Sequence, residues 1–78
     1  MIQRLQNAVV GAKQVKKALE ADLLVKVFVA LDTEAYLKNR LYALCKEHGM
    51  VSEPVPTMRE LGDMCGIEVG AACAGVRK

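Results

Sequence analysis

A chain of 78 residues that is 53% hydrophobic and 26% charged is too short for two cores and too apolar for a disordered segment, so residues 1–78 are expected to form one domain. A formal net charge of +2 permits an anionic partner without demanding one, and the placement of the bases matters more than their number. No stretch approaches the roughly 18 apolar residues of a membrane span, and the opening MIQRLQNAVV lacks the apolar run of a signal peptide, so a cytoplasmic protein with no membrane partner is expected.

Residues 2–9 are too few to decide between a short helix and a strand, with a brief strand near residues 8–10 as the reading at their end. Over residues 12–22, Val15, Ala18 and Leu19 recur at i, i+3, i+4 spacing and predict a helix with one buried face. LLVKVFVAL, residues 23–31, is β-branched and almost continuously apolar. It reads as a central strand covered on both faces, with Lys26 near its edge.

Asp32 or Thr33 is expected to cap the next helix, with Glu34 in its first turn. Tyr36, Leu37, Arg40, Leu41, Leu44 and Cys45 carry its periodicity, and Gly49 ends it. Residues 50–55 read as a second strand, in which Pro54 removes a ladder donor and so favours an edge position. Thr57 and Glu60 form a capping box, opening a short helix that runs to about Cys65, with Gly66 as its C′ residue. The final GAACAGV has poor strand formers and is left undecided by propensity. Helices alternating with strands argue for an α/β layer structure.

Two stretches bear on function. In Gly11-Ala12-Lys13-Gln14-Val15-Lys16-Lys17, three lysines crowd the first turns of a helix, where the macrodipole already places partial positive charge. Lys13, Lys16, Lys17 and Glu20 share the polar side of a helical wheel, with Gln14 at its border. The residues alone leave two readings open: a solvated face with an electrostatic flaw, or a phosphate or nucleic-acid contact in which free amides and lysines act together. The second stretch is LGDMCGIEVGAA, residues 61–72. If Gly66 ends a helix, Ile67, Glu68 and Val69 lie on a loop. Their branched side chains either tuck into the core or offer a surface for a base.

Together, and in this order, the two stretches resemble the L-seven-Ae family of kink-turn RNA-binding ribosomal proteins, and most closely its short bacterial, ribosome-associated members. The resemblance runs from about Val10 to Val76. It implies a three-layer α/β/α sandwich with a mixed four-stranded sheet, GAACAGV as a strand, and the two motif loops adjacent on one edge. It further implies that Gly11, Ala12, Lys13, Gln14, Lys16 and Lys17 enter the widened groove of an RNA kink beside tandem sheared G·A pairs. The position of Lys17 would donate to guanine, and Ile67, Glu68 and Val69 would pack against an extruded nucleotide. The expected partner is a structured RNA with a kink-turn, in ribosomal RNA or an mRNA leader, bound by a monomer on the ribosome.

One departure stands out. The commonest family pattern has Asn-Glu where this chain has Lys13-Gln14. Lysine accepts no hydrogen bond and glutamine has a single acceptor oxygen, so a larger electrostatic and a smaller base-specific share of binding is expected.

Nothing outlines an active site. His48 is the single histidine, near a helix C-terminus, and the acidic residues form no recognisable acid/base pair. Cys45, Cys65 and Cys73 are odd in number and lack metal-ligand spacing, so reduced packing thiols and no cofactor are expected. Phe28, Tyr36 and Tyr42 fall on apparent core positions, which argues against a single strand read by aromatic stacking. The remaining alternative is a protein-interaction adaptor that keeps the fold without tight RNA binding.

Overall fold

The computed structural model describes residues 8–78, in the order β1 (Ala8–Val10), α1 (Ala12–Glu20), β2 (Leu24–Ala30), α2 (Ala35–Glu47), β3 (Ser52–Val55), α3 (Met58–Cys65) and β4 (Cys73–Arg77). The brief strand at residues 8–10 forms, while the helix-or-strand question for residues 2–7 lies outside the described residues.

The four strands form one sheet in the order β1-β4-β2-β3. β4 runs antiparallel to both β1 and β2, and β3 runs parallel to β2. β2 is therefore internal and β3 an edge, where the missing amide of Pro54 is harmless. Alternation along β2 builds two cores. Val27 and Val29 pack with Val15, Leu19, Leu41 and Cys45 of α1 and α2, while Phe28 and Ala30 pack with Val55, Leu61 and Ala71 on the α3 side. The result is a three-layer α/β/α sandwich with a mixed four-stranded sheet, as expected.

The pairing shifts register between Leu24 and Lys26, and this irregularity puts Leu24 on the same face as Val27 despite their odd spacing. It also leaves Val25 exposed, so β2 is covered on both faces only from Val27 to Ala30. Lys26 is the third residue of β2, near its start, and is half-buried. It is tolerated because its Nζ pairs with Glu53 on β3 at 3.0 Å and sits 5.4 Å above the Phe28 ring.

α1 buries Val15, Ala18 and Leu19, the expected face, but ends at Glu20 because Asp22 turns left-handed at φ 56°. At α2 the capping expectation fails. Glu34 is the N-cap and makes no side-chain capping bond. Asp32 is instead drawn to α3, where its Oδ1 accepts from the Met58 amide at 2.8 Å, and Thr33 is buried with its hydroxyl donating to the Ala72 carbonyl at 3.4 Å. The α2 periodicity is also narrower than expected. Leu41 and Cys45 are buried, Leu37 and Leu44 half-buried, and Tyr36 and Arg40 face solvent with the guanidinium 5.8 Å from the ring centroid.

α3 is bounded as expected. Thr57 Oγ1 accepts from the Glu60 amide at 3.1 Å, and Gly66 is left-handed at φ 75°. The Glu60 side chain makes no return bond among the described residues, and Asp32 caps the neighbouring amide in its place. GAACAGV is a strand only from Cys73 onward. Its small residues are explained by crowding, since a Cβ on Gly75 would meet Leu24 Cδ1 at 2.5 Å. Among the described residues no helix is long and apolar enough to cross a membrane.

Candidate functional site

Because β1 and β2 both run antiparallel to β4, and β3 runs parallel to β2, these three strands run in one direction and end at one edge of the sheet. The N-termini of α1, α2 and α3 therefore gather at that edge, and β4 begins there. Ligands of open α/β sheets bind beyond the carboxyl ends of the strands, where helix amides and dipoles point outward.

The three helix starts differ. The first amides of α3 are occupied by Asp32 and Thr57, and α2 begins behind the Glu34 carboxylate. α1 begins at Gly11, which supplies no side-chain cap, and no acidic residue follows in its first turn. Its first helical bond runs from the Val15 amide to the Gly11 carbonyl at 2.9 Å, leaving the Ala12, Lys13 and Gln14 amides without helical partners. Gly11 has φ 97° and ψ 150°, a region in which essentially only glycine is unstrained. That conformation lets β1 turn into α1 while the Gly11 amide still donates to the Cys73 carbonyl at 3.0 Å.

This bond joins the two motif stretches, since Cys73 directly follows the loop that leaves α3. The loop is strapped down along its length. Ile67 N donates to Gly62 O at 3.0 Å and Gly66 N to Asp63 O at 3.0 Å, a Schellman motif, and Ala71 N donates to Met58 O at 2.9 Å. Gly62 lets the Val69 backbone lie directly on α3, because a Cβ there would overlap the Val69 oxygen. Ile67 is half-buried against the cluster containing Leu61, the hydrophobic partner this motif commonly takes, whereas Glu68 is exposed and Val69 is 70% exposed. Of the two branched residues in the loop, Val69 presents the free apolar surface.

Lys13, Gln14, Lys16 and Lys17 are all exposed, and none of these lysines makes an ion pair among the described residues. Lys13 and Lys16 line a groove of about 460 Å³ between α1 and α2, which Lys17 does not reach. Arg40, exposed on α2, lines the same groove.

The thiols belong to the interior. Burial pushes the Cys73 thiol up to about 12, with Cys45 and Cys65 adding to the shift, and burial also raises Cys45 and Cys65. Such thiols are protonated and unreactive at neutral pH. Among the described residues no group of His, Cys, Asp or Glu is arranged to hold a metal ion.

The α/β/α sandwich thus presents an uncapped, cationic helix end of a kind that can receive an anion. The profile of the ribosomal protein L7Ae/L30e/S12e/Gadd45 family matches residues 2–78, and the chain belongs to that family. Membership makes it a noncatalytic protein. It is 44% identical over 66 residues to an RNA-binding protein of Caldanaerobacter subterraneus subsp. tengcongensis, covering 85% of this chain and 80% of that protein. It is 36% identical over 75 residues to an RNA-binding protein of Bacillus pumilus, covering 96% of this chain and 92% of that one. The fold matches the solved structure of a Giardia lamblia 15.5kD RNA binding protein with a TM-score of 0.85 at 22% identity, over 94% of this chain and 62% of the other.

Proposed function

We propose that this chain binds structured RNA carrying a kink-turn, in ribosomal RNA or an mRNA leader, and acts as a cytoplasmic, ribosome-associated monomer. The observation that supports the reading is the Gly11 to Cys73 hydrogen bond, which ties an open, cationic helix end to the strand that follows the loop of residues 66–72. The names of its relatives as RNA-binding proteins support RNA as the ligand class. In this reading the Ala12, Lys13 and Gln14 amides and Lys17 meet the guanine edges and phosphates of the kink, and Val69 covers an extruded nucleotide.

The test is a titration against a kink-turn RNA and against the same RNA with its tandem G·A pairs made Watson–Crick, at two salt concentrations. A preference of about 1–3 kcal/mol for the intact kink, the scale of one good base contact, is expected to survive the higher salt. If two or three phosphates are neutralised, log K should fall with log salt at a slope of roughly −2 to −3. Equal, salt-sensitive affinity for both RNAs would reduce the site to a basic patch. Absence of binding to either would favour a protein adaptor.

A further inference from the structure

The groove between α1 and α2 is not part of the edge described above, although it shares Lys13 with it. Its floor is apolar, built from Leu37, Leu41 and Leu44, and its rim carries Lys13, Lys16 and Arg40 against one carboxylate, Glu47. None of these three cations is paired with an acidic group among the described residues. Glu47 lies seven positions beyond Arg40 along α2, roughly 10 Å at the rise of a helix, so the cationic end of the groove is the end nearest the helix starts. Tyr36, exposed on the first turn of α2, holds the Arg40 guanidinium against its ring.

A ligand for this groove needs negative charge and an apolar face together. Duplex RNA shows a protein mainly phosphate and sugar, and would leave the leucine floor uncovered. An unpaired nucleotide has both properties, since its backbone is anionic and its base is flat and apolar on either side. We infer that the α1/α2 groove holds a single-stranded segment of the bound RNA, with phosphates on Lys13, Lys16 and Arg40 and a base over Leu37 and Leu44. The inference extends the RNA reading above and makes α2 part of the RNA-contacting surface.

The probe is a short oligouridine, which contains no kink, so its binding is read independently of any kink-turn preference. Titrated into isotope-labelled protein, it is expected to shift the methyl signals of Leu37 and Leu44 and the side-chain signal of Arg40. Arg40→Gln is expected to weaken oligouridine roughly three- to fivefold at low salt and to reduce the salt slope by about 1. Lys46→Gln, on the same helix but outside the groove, should change neither. Unmoved leucine methyls, or equal behaviour of the two variants, would overturn the inference. Uridine monophosphate binding as tightly as the oligomer would also overturn it, by making the groove a site for free nucleotides.

Discussion

Gly62 of α3 and Val69 of the following loop lie so close that a Cβ at position 62 would overlap the Val69 carbonyl oxygen. Two opposing effects act on Gly62→Ala. Alanine in a helix interior gains up to about 1 kcal/mol over glycine, whereas forcing an atom into a filled site loses about 1–3 kcal/mol. Because the obstacle is backbone rather than a flexible side chain, the clash should win. A net loss of about 1–2 kcal/mol by urea denaturation is expected, together with weaker RNA binding as the loop is displaced.

Ile67 and Val69 should separate stability from binding. Ile67 is half-buried in the α3 cluster, so Ile67→Ala is expected to lose about 1 kcal/mol, less than the full burial value of an isoleucine. Val69→Ser removes only exposed surface and should leave the denaturation midpoint unchanged. In a kink-turn titration the same variant should bind several-fold more weakly. Unaltered affinity of Val69→Ser would remove the loop from the proposed contact.

Asp32 joins elements 26 positions apart by accepting the Met58 amide. Asp32→Ala leaves that amide without a protein partner, and a loss of about 1 kcal/mol is expected from chemical denaturation, as for other lost helix caps. Asp32→Asn keeps an acceptor oxygen and should restore most of that stability.

The thiols predict an alkaline weakness. The folded Cys73 pKa is raised to about 12 from an ordinary 9.0, so at neutral pH the thiol is protonated in both states and contributes no pH dependence. Above pH 9 the unfolded thiol ionises while the folded one keeps its proton. The unfolded state then binds fewer protons, and stability falls as pH rises from about 9 towards 12, by at most about 1.4 kcal/mol per pH unit for this group. Cys45 and Cys65, also raised by burial, act in the same direction. Urea midpoints measured between pH 8 and 11 should decline, and Cys73→Ala should decline less steeply.

What the sequence determined by itself was local. The buried stripe of α1 and the apolar run of β2 are patterns among neighbouring residues, the Thr57 cap and the Gly66 stop are contacts within a few residues, and all four are found in the structure. The lysine-led helix start and the loop after Gly66 were legible as motifs for the same reason. Tertiary structure decided the rest, because the deciding partners are far away in the chain. β4 is a strand of glycine, alanine and cysteine only because Leu24 and the two cores press against it. Asp32 serves α3 rather than α2 because β2 and β3 end side by side. Tyr36 has core-like spacing, yet faces outward because the face of α2 that meets the sheet centres on Leu41 and Cys45. The division of the lysines, with Lys13 and Lys16 along α2 and Lys17 apart, depends on where a second helix packs, and helical periodicity holds no record of that.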